Sequence, residues 1–411
     1  MKLTLVLLFS LWQPSGYPKD NLKKILELAH SNHQLFKRNQ IETQRAKDEV
    51  SLLKTGFMPE ISIQANLDYG NKTLTSKSGF NRWDSELKAR LEQSIYNGGK
   101  EYTYFRLKKI VPNLVEYNNL IKKLDHFSKI NISYFQYKKS STNLNNLKKQ
   151  IMVLEKALKE VKRRSQIGRV SKADYFSGQS QLQRLKANLL SIEEEVLFYQ
   201  SELNQLLGID FIEDKDTIIS WQDYSEVPLQ WKNKLQSVPQ LKLLKTEIQS
   251  AQEQVNIIKS EYRPKISLQS NAYLNKRTNS VDDYDISLNL SWSLFSFGET
   301  SHKVEIEKAK LYLARAKKTE AQRNIETFYD MHIKRHSKKL THINRLQKAV
   351  DLGKKSYLFQ TSEYKKGLLS YIELSRTLDD LIDIERQLTN AINDLAMNWY
   401  SIKLFLGDTL I

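Results

Sequence analysis

Two short stretches decide the fold: MPEISIQAN at residues 58–66 and RPKISLQSN at residues 263–271. They share a proline, an isoleucine, a serine, a glutamine and an asparagine at an offset of 205 positions. After a loop that is six residues shorter in the second copy, identities continue at an offset of 199 positions. The later pairs include Gly99/Gly298, Gly168/Gly367, Ser171/Ser370 and Gly208/Gly407. Offsets that hold over so long a stretch indicate an internal duplication.

The duplication divides the chain into two repeats with the same order of elements. We expect the first repeat at 20–208, a linker at 209–232 and the second repeat at 233–407. Each repeat begins with helical spacing, which in the first runs over 20–56 without a helix-breaking residue. The N-terminal stretch, MKLTLVLLFSLWQPSG at 1–16, has the order of a secretory signal peptide, with a buried N-terminal helix as the alternative.

A β-hairpin is predicted in each repeat, at 60–96 and 264–296, because apolar and polar residues alternate there. The last strand of the second hairpin is predicted over 285–295. Strict alternation is typical of a strand with one apolar and one polar face. The predicted apolar faces contain Ile61, Ile63, Leu87, Leu91, Ile266, Leu268, Leu288, Leu290 and Trp292.

Four long helices are predicted from the remaining sequence. They cover 99–167 and 172–207 in the first repeat, and 299–366 and 370–405 in the second. Their apolar residues step by three and four, which is typical of packed antiparallel coiled-coil helices. Pro112 is expected to kink the first of them or to mark its true start. One such seam contains Leu144, Leu147, Ile151, Leu154, Leu158 and Val161.

Composition agrees with long elements and narrows the function. The 411 residues include only 13 glycines, 7 prolines and no cysteine, which excludes disulfides, thiolate catalysis and cysteine-bound zinc. The net charge of +17 comes from basic residues that are spread along the chain and interleaved with acids. There is no zinc-finger or RNP-like motif, so we expect no nucleic-acid partner.

Sequence motifs for catalysis or cofactor binding are missing. The chain has no phosphate-binding glycine loop, no nucleophile elbow and no clear carboxylate pair, so we expect neither an enzyme nor a cofactor. His332 and His336 lie one helical turn apart, but no glutamate stands between them and lysines and arginines surround them. We therefore expect a solvated helix face rather than a metal site.

Four strands cannot close a barrel, and an open sheet would expose an apolar face and two edges. Strands of about ten residues with one apolar and one polar face suit a transmembrane β-barrel. Three chains that share one barrel would supply twelve strands. The alternative is a soluble antiparallel sheet that packs on the helices.

At this point the chain resembles the TolC-type outer-membrane efflux protein family over nearly its whole length. The resemblance rests on the repeat, on SIYNGGK (94–100) and SLFSFGE (293–299), and on IGRVSKAD (167–174) and KGLLSYIE (366–373). It implies a mainly α fold with a small β part: a trimeric α-barrel of long-helix hairpins plus a shared 12-stranded transmembrane β-barrel.

The resemblance also implies a function and its partners. The homotrimer would conduct substrates passively through the outer membrane, in contact with its lipid, with the helices in the periplasm. It would serve a tripartite efflux pump or a type I secretion system. A periplasmic adaptor (membrane fusion protein) and an inner-membrane transporter of RND, MFS or ABC type would deliver the substrate.

Particular residues match the family's functional positions. The resemblance implies a pore gate at Asp174 and Tyr364, and a carboxylate ring at Glu373. The chain departs from the family at Leu369, where some members have arginine, and at Arg376, where a second carboxylate is expected. The implied adaptor-docking residues are Gly168, Val170, Ser171, Gly367, Leu368 and Ser370.

A second class of function fits the helices alone. A secreted or periplasmic coiled-coil scaffold or adaptor would explain the helical seams and the charge. It would not explain two hairpins with apolar outer faces.

Overall fold

The computed structural model describes residues 21–71, 81–168, 170–212, 220–275 and 284–409. The predicted signal peptide at 1–16 lies outside the described residues, as does part of the predicted linker. The elements are α1 (Asn21–Asn32), α2 (Gln34–Thr55), β1 (Glu60–Asn71), β2 (Asn81–Asn97), α3 (Lys100–Gln166), α4 (Lys172–Leu207), α5 (Gln230–Asn233), α6 (Pro239–Lys259), β3 (Lys265–Asn275), β4 (Tyr284–Ser291), α7 (Glu299–Lys366) and α8 (Tyr371–Phe405). No described helix combines the length and the apolar character needed to cross a membrane.

The chain forms two compact units. The sheet unit contains Lys37–Lys122 and Gln236–Ile325, and the helical unit contains the residues up to Phe36, Lys123–Leu235 and the residues from Glu326 onward. The duplication is thus expressed in both units, since each takes a segment from each repeat.

The sheet unit holds one four-stranded antiparallel sheet in the order β1-β2-β3-β4. Apolar and polar residues alternate along these strands, so the two faces of the sheet suit different environments. Most of α2, the part of α3 up to Lys122 and α6 belong to the same unit and are joined by polar contacts. The Lys122 ammonium lies 2.8 Å from the Glu42 carboxylate, and the Arg106 guanidinium donates to Glu253 at 2.8 Å.

β4 ends earlier than the alternation predicts. It stops at Ser291, so Trp292 and the residues up to 295 lie outside the strand. Ser291 pairs with Lys265, the first residue of β3, and the preceding Pro264 has no N–H to extend the ladder. The Trp292 indole instead donates to the backbone carbonyl of Tyr262 at 3.0 Å.

The helical unit is built on the heptad seams of the four long helices. In the first repeat, Leu147, Ile151, Leu154 and Leu158 of α3 are buried in one cluster with Leu182 of α4. In the second repeat, α7 and α8 meet through a further cluster, which contains Ile343, Leu346, Ala391 and Leu395. The predicted mainly helical class with a small sheet is confirmed.

Two details of the helices differ from expectation. α3 runs unbroken from Lys100 to Gln166, so Pro112 does not mark its start. The predicted first helix is divided at His33, whose Nδ1 accepts the backbone N–H of Leu35 at 3.2 Å. The His33 ring also packs on His126 at 4.3 Å between centroids, and this tertiary contact fixes the break.

Candidate functional site

Two helix-turn-helix tips, both in the helical unit, carry most of the predicted site residues. The first joins α3 to α4 at 166–172, and the second joins α7 to α8 at 366–371. Each long helix ends on a glycine with positive φ, +74° at Gly168 and +78° at Gly367. No atom lies within 4 Å of a Cβ built at either glycine, so the backbone angle and not crowding selects glycine there.

The return helices α4 and α8 both begin with a serine cap. The Ser171 hydroxyl accepts the backbone N–H of Ala173 at 3.1 Å. Ser370 forms a complete capping box with Glu373: the Ser370 hydroxyl accepts the Glu373 N–H at 3.3 Å, and the Glu373 carboxylate accepts the Ser370 N–H at 2.9 Å. These bonds satisfy N–H groups that a helix start leaves without partners.

The capping box gives Glu373 a local structural role within one chain. Its carboxylate also accepts the Ser370 hydroxyl at 2.7 Å. The backbone and side-chain bonds from Ser370 hold the pKa of Glu373 below its ordinary value, with a further contribution from nearby Arg376. Arg376 is exposed on the next turn of α8. The carboxylate ring stays a prediction. Within one chain, the observed role of Glu373 is that of a helix-capping residue.

Tyr364 lies half-buried against the apolar cluster of the first repeat. The Arg164 guanidinium lies over its ring at 5.5 Å from the centroid, and Arg164 also donates to Glu160 at 3.0 Å. Burial raises the pKa of Tyr364, and the charges of Glu160 and Asp174 act in the same direction while that of Arg164 opposes them.

Asp174 lies in the first turn of α4 and is half-buried. Its carboxylate is near enough to Tyr364 to act on that hydroxyl electrostatically. Within the described chain, however, Asp174 and Tyr364 share no hydrogen bond. A carboxylate in this turn also suits the positive end of the helix. The predicted gate bond is therefore not formed in the single chain and stays a prediction.

The outermost tip residues differ in how far they reach into solvent. Leu368 has 75% of its surface exposed. Ser171, Gly168 and Gly367 are exposed as well. Val170 is half-buried and packs against the cluster of the first repeat. Leu368 is thus an exposed apolar side chain at the second tip.

A polar network behind the tips was not predicted. The Asp379 carboxylate accepts the side-chain amide of Gln150 at 2.9 Å and that of Gln181, and the Ser375 hydroxyl donates to Gln181 at 2.9 Å. Burial raises the pKa of Asp379. The network joins α3, α4 and α8 in the helical unit. Polar residues on buried helix faces are its only sequence signal.

In the sheet unit, most cross-strand neighbours on one face are both apolar. Ile61 pairs with Leu91, while between β3 and β4 Ile286 lies opposite Ser270. Further along the same face, Leu268 pairs with Leu288 and Ile266 with Leu290. On β1 and β4 the apolar residues Ile61, Ile63, Ile286, Leu288 and Leu290 are 66–75% exposed. Leu87 lies opposite Ala65 in a row of the same face.

The other face of the sheet is polar and internally bonded. The Arg90 guanidinium donates to Glu92 at 2.6 Å and to Gln269 at 3.2 Å. The Asp285 carboxylate accepts the Asn271 amide at 2.9 Å and the Tyr273 hydroxyl at 2.8 Å. The sheet thus has one apolar face and one hydrated face.

The histidines of α7 are not a solvated face, contrary to expectation. His336 is only 3% exposed, and burial lowers its pKa. His332 stacks on Phe328 at 4.1 Å between centroids and its Nδ1 lies 2.8 Å from the Asn398 side-chain oxygen. Tertiary packing in the helical unit buries His336 and leaves His332 half-buried. Among the described residues, no cluster of three or more histidines and carboxylates is placed to hold a metal.

Known proteins match this architecture. The model of the outer membrane efflux protein family matches residues 232–408, which is the second repeat. The outer membrane protein VceC of Vibrio cholerae is 15% identical, with a TM-score of 0.79 over 95% of each chain. The Campylobacter jejuni CmeC outer membrane channel is also 15% identical, with a TM-score of 0.77 over 95% of this chain and 86% of that one.

The Neisseria gonorrhoeae MtrE outer membrane channel, solved in an open state, is 12% identical, with a TM-score of 0.81 over 95% of this chain and 89% of that one. No curated protein sequence matches the chain. At these identities the structural likeness establishes the fold alone, and the family model matches only the second repeat.

Proposed function

We propose that the chain is an outer-membrane efflux protein, the exit duct of a tripartite efflux pump or a type I secretion system, because its second repeat matches the model of that family. Three copies form one channel. The sheets build a shared twelve-stranded barrel in the outer membrane, and the long helices build the periplasmic part. Substrate passes through without a chemical step.

The single sheet of the sheet unit carries this proposal. β1 and β4 each have one strand neighbour in the described chain, and both carry apolar side chains exposed to 66–75%. Unpaired strand edges and exposed apolar rows are both costly in water. Pairing of β4 with β1 of the next protomer in a bilayer removes both costs. A soluble scaffold would leave them in place.

Cysteine cross-linking tests the pairing directly, because the chain has no cysteine of its own. One cysteine replaces Ser62 on β1 and one replaces Ser287 or Asn289 on β4. These residues lie on the polar face of the sheet. Oxidation in outer membranes should yield covalent trimers. The matched control places the second cysteine at Leu288, on the opposite face. Monomers alone with both β4 positions would refute the shared barrel.

The two tips are proposed to receive the periplasmic adaptor. Gly367, Leu368 and Ser370 form the docking surface of the second tip, and Gly168, Val170 and Ser171 form that of the first. The exposed Leu368 supplies its apolar anchor, since buried apolar side chains at the centre of an interface dominate its affinity. Co-purification with a tagged chain identifies the adaptor. The identity of the adaptor then indicates which transporter it serves.

The closed pore is proposed to depend on Asp174 and Tyr364. Their electrostatic proximity supports a hydrogen bond that forms when the helices tighten in the assembled channel. Single-channel conductance of Asp174→Ala with Tyr364→Phe tests this. The closed-state conductance should rise. An unchanged conductance would leave Asp174 with only its helix-start role. Ser171→Ala, which weakens the neighbouring cap without touching either group, is the control.

A further inference from the structure

A cavity of about 320 Å³ lies in the sheet unit where α2 ends and α3 begins. Its apolar wall contains Phe57, Met58, Tyr104 and Phe105. The Phe57 and Tyr104 rings pack together at 5.5 Å between centroids, while Met58 and Phe105 are exposed. The cavity therefore has a rigid aromatic floor and an open apolar rim.

Two lysines line the same cavity. Lys54 comes from the last turn of α2 and Lys108 from the third turn of α3. Neither ammonium forms an ion pair with any carboxylate in the described parts of the chain. Hydrogen bonding and charge repulsion from Lys54 lower the pKa of Lys108, so the two groups lie close together. Two neighbouring cations that form no ion pair favour an anion between them.

A carboxylate completes the lining. The Glu101 Oε1 atom accepts the backbone N–H of Asn97 at 2.5 Å. Its Oε2 atom is buried and has no hydrogen-bond partner. A buried acceptor without a donor is costly, so a ligand that brings a donor gains affinity there. The cavity thus offers two positive groups, one unsatisfied carboxylate oxygen and an apolar rim.

We propose that this cavity binds the headgroup of an aminophospholipid, a lipid that carries both a phosphate and a primary ammonium. The phosphate lies between Lys54 and Lys108, and the ammonium lies at Glu101. The acyl chain runs over Met58 and Phe105. Each charged group of the lipid thus meets a group of opposite charge, and the acyl chain meets apolar side chains.

The position in the chain supports a lipid as the source of this headgroup. Met58 comes two residues before β1, and Glu101 comes four residues after the end of β2. The inference rests on the proposed function, which puts these strands in the bilayer and their ends at its surface. Basic pockets at that level are suited to lipid headgroups. The inference goes beyond conduction, since a lipid here fixes the channel at its depth in the membrane.

Native mass spectrometry of the intact trimer in detergent tests the proposal. The probes are phosphatidylethanolamine, phosphatidylglycerol and phosphatidylcholine with identical acyl chains. Phosphatidylethanolamine should bind more tightly than either of the others. Lys54→Gln with Lys108→Gln should weaken it by about tenfold or more, because two charge-assisted bonds are lost. Glu101→Gln keeps the bond to Asn97 and should abolish the preference over phosphatidylglycerol.

Lys47→Gln with Lys109→Gln is the matched control, since these exposed lysines lie on the same two helices outside the cavity lining. It should leave binding unchanged. Heat-resistant trimers confirm that each variant folds. Unaltered binding in the Lys54/Lys108 variant overturns the site, and equal binding of the three lipids overturns the assigned headgroup. Soluble glycerophosphoethanolamine should bind at least tenfold more weakly; equal affinity would overturn the lipid assignment. Each result is independent of transport.

Discussion

Gly98 is the glycine whose replacement should damage the protein most. It stands between β2 and α3 with φ +67°, and a Cβ built there lies 2.2 Å from the Ser260 carbonyl oxygen. Left-handed backbone costs an alanine about 1–2 kcal/mol. The overlap is with a backbone atom, which no rotamer change relieves, and overpacking of this kind costs about 1–3 kcal/mol. Gly98→Ala should therefore destabilise by about 2–5 kcal/mol.

Urea unfolding of the purified protein in detergent, followed by tryptophan fluorescence, measures this loss. Gly168→Ala is the matched control, because its φ of +74° is similar while no atom lies within 4 Å of its Cβ. It should lose only the backbone part, about 1–2 kcal/mol. Equal losses at Gly98 and Gly168 would refute the overlap with Ser260. Asparagine, which tolerates left-handed backbone, should rescue position 168 and not position 98.

Changes at four further positions address the tips. Ser370→Ala should cost about 1 kcal/mol and speed hydrogen exchange in the first turn of α8, whereas Ser370→Thr should keep the cap; unchanged exchange would contradict the capping box. Because its pKa is lowered, Glu373 contributes stability above its ordinary pKa of 4.5 that is lost as the pH falls through the lowered value. Thermal dissociation of trimers between pH 3 and 6 should show this loss in the wild type and not in Glu373→Gln. Leu368→Ala should abolish adaptor co-purification at an unchanged melting temperature, and a retained adaptor would remove Leu368 from the docking surface. Arg376→Glu should shift the reversal potential toward cation selectivity, and an unshifted value would place Arg376 away from the entrance.

The long elements were predictable because their physical cause is periodic. A heptad seam such as Leu147 to Leu158 fixes which helix faces are buried, and α3 and α7 end at the glycines that the repeat singles out. The strand alternation likewise fixed the faces of the sheet. These patterns depend on neighbours in sequence, so they are visible without the fold.

The structure differs from the sequence-based predictions where a residue that is distant in sequence determines the local conformation. The break at His33 depends on His126, and the end of β4 depends on where β3 begins. The burial of His336 depends on packing in the helical unit. The lysines near it in the sequence instead favour an exposed helix face. The capping box is different, because the Ser-x-x-Glu signature of Ser370 and Glu373 is present in the sequence. The family resemblance instead implies that Glu373 belongs to a pore ring.

The unpaired edges of the sheet have a consequence for biogenesis. In the proposed trimer, β1 and β4 of each chain take their second neighbours from the other two chains, so maturation depends on meeting two identical chains. The rate of maturation then rises steeply with expression level, and periplasmic chaperones must shield the edges meanwhile. A variant with one blocked edge would still pair through the other and would trap normal chains in dead-end assemblies. Such an allele should be dominant over the wild type.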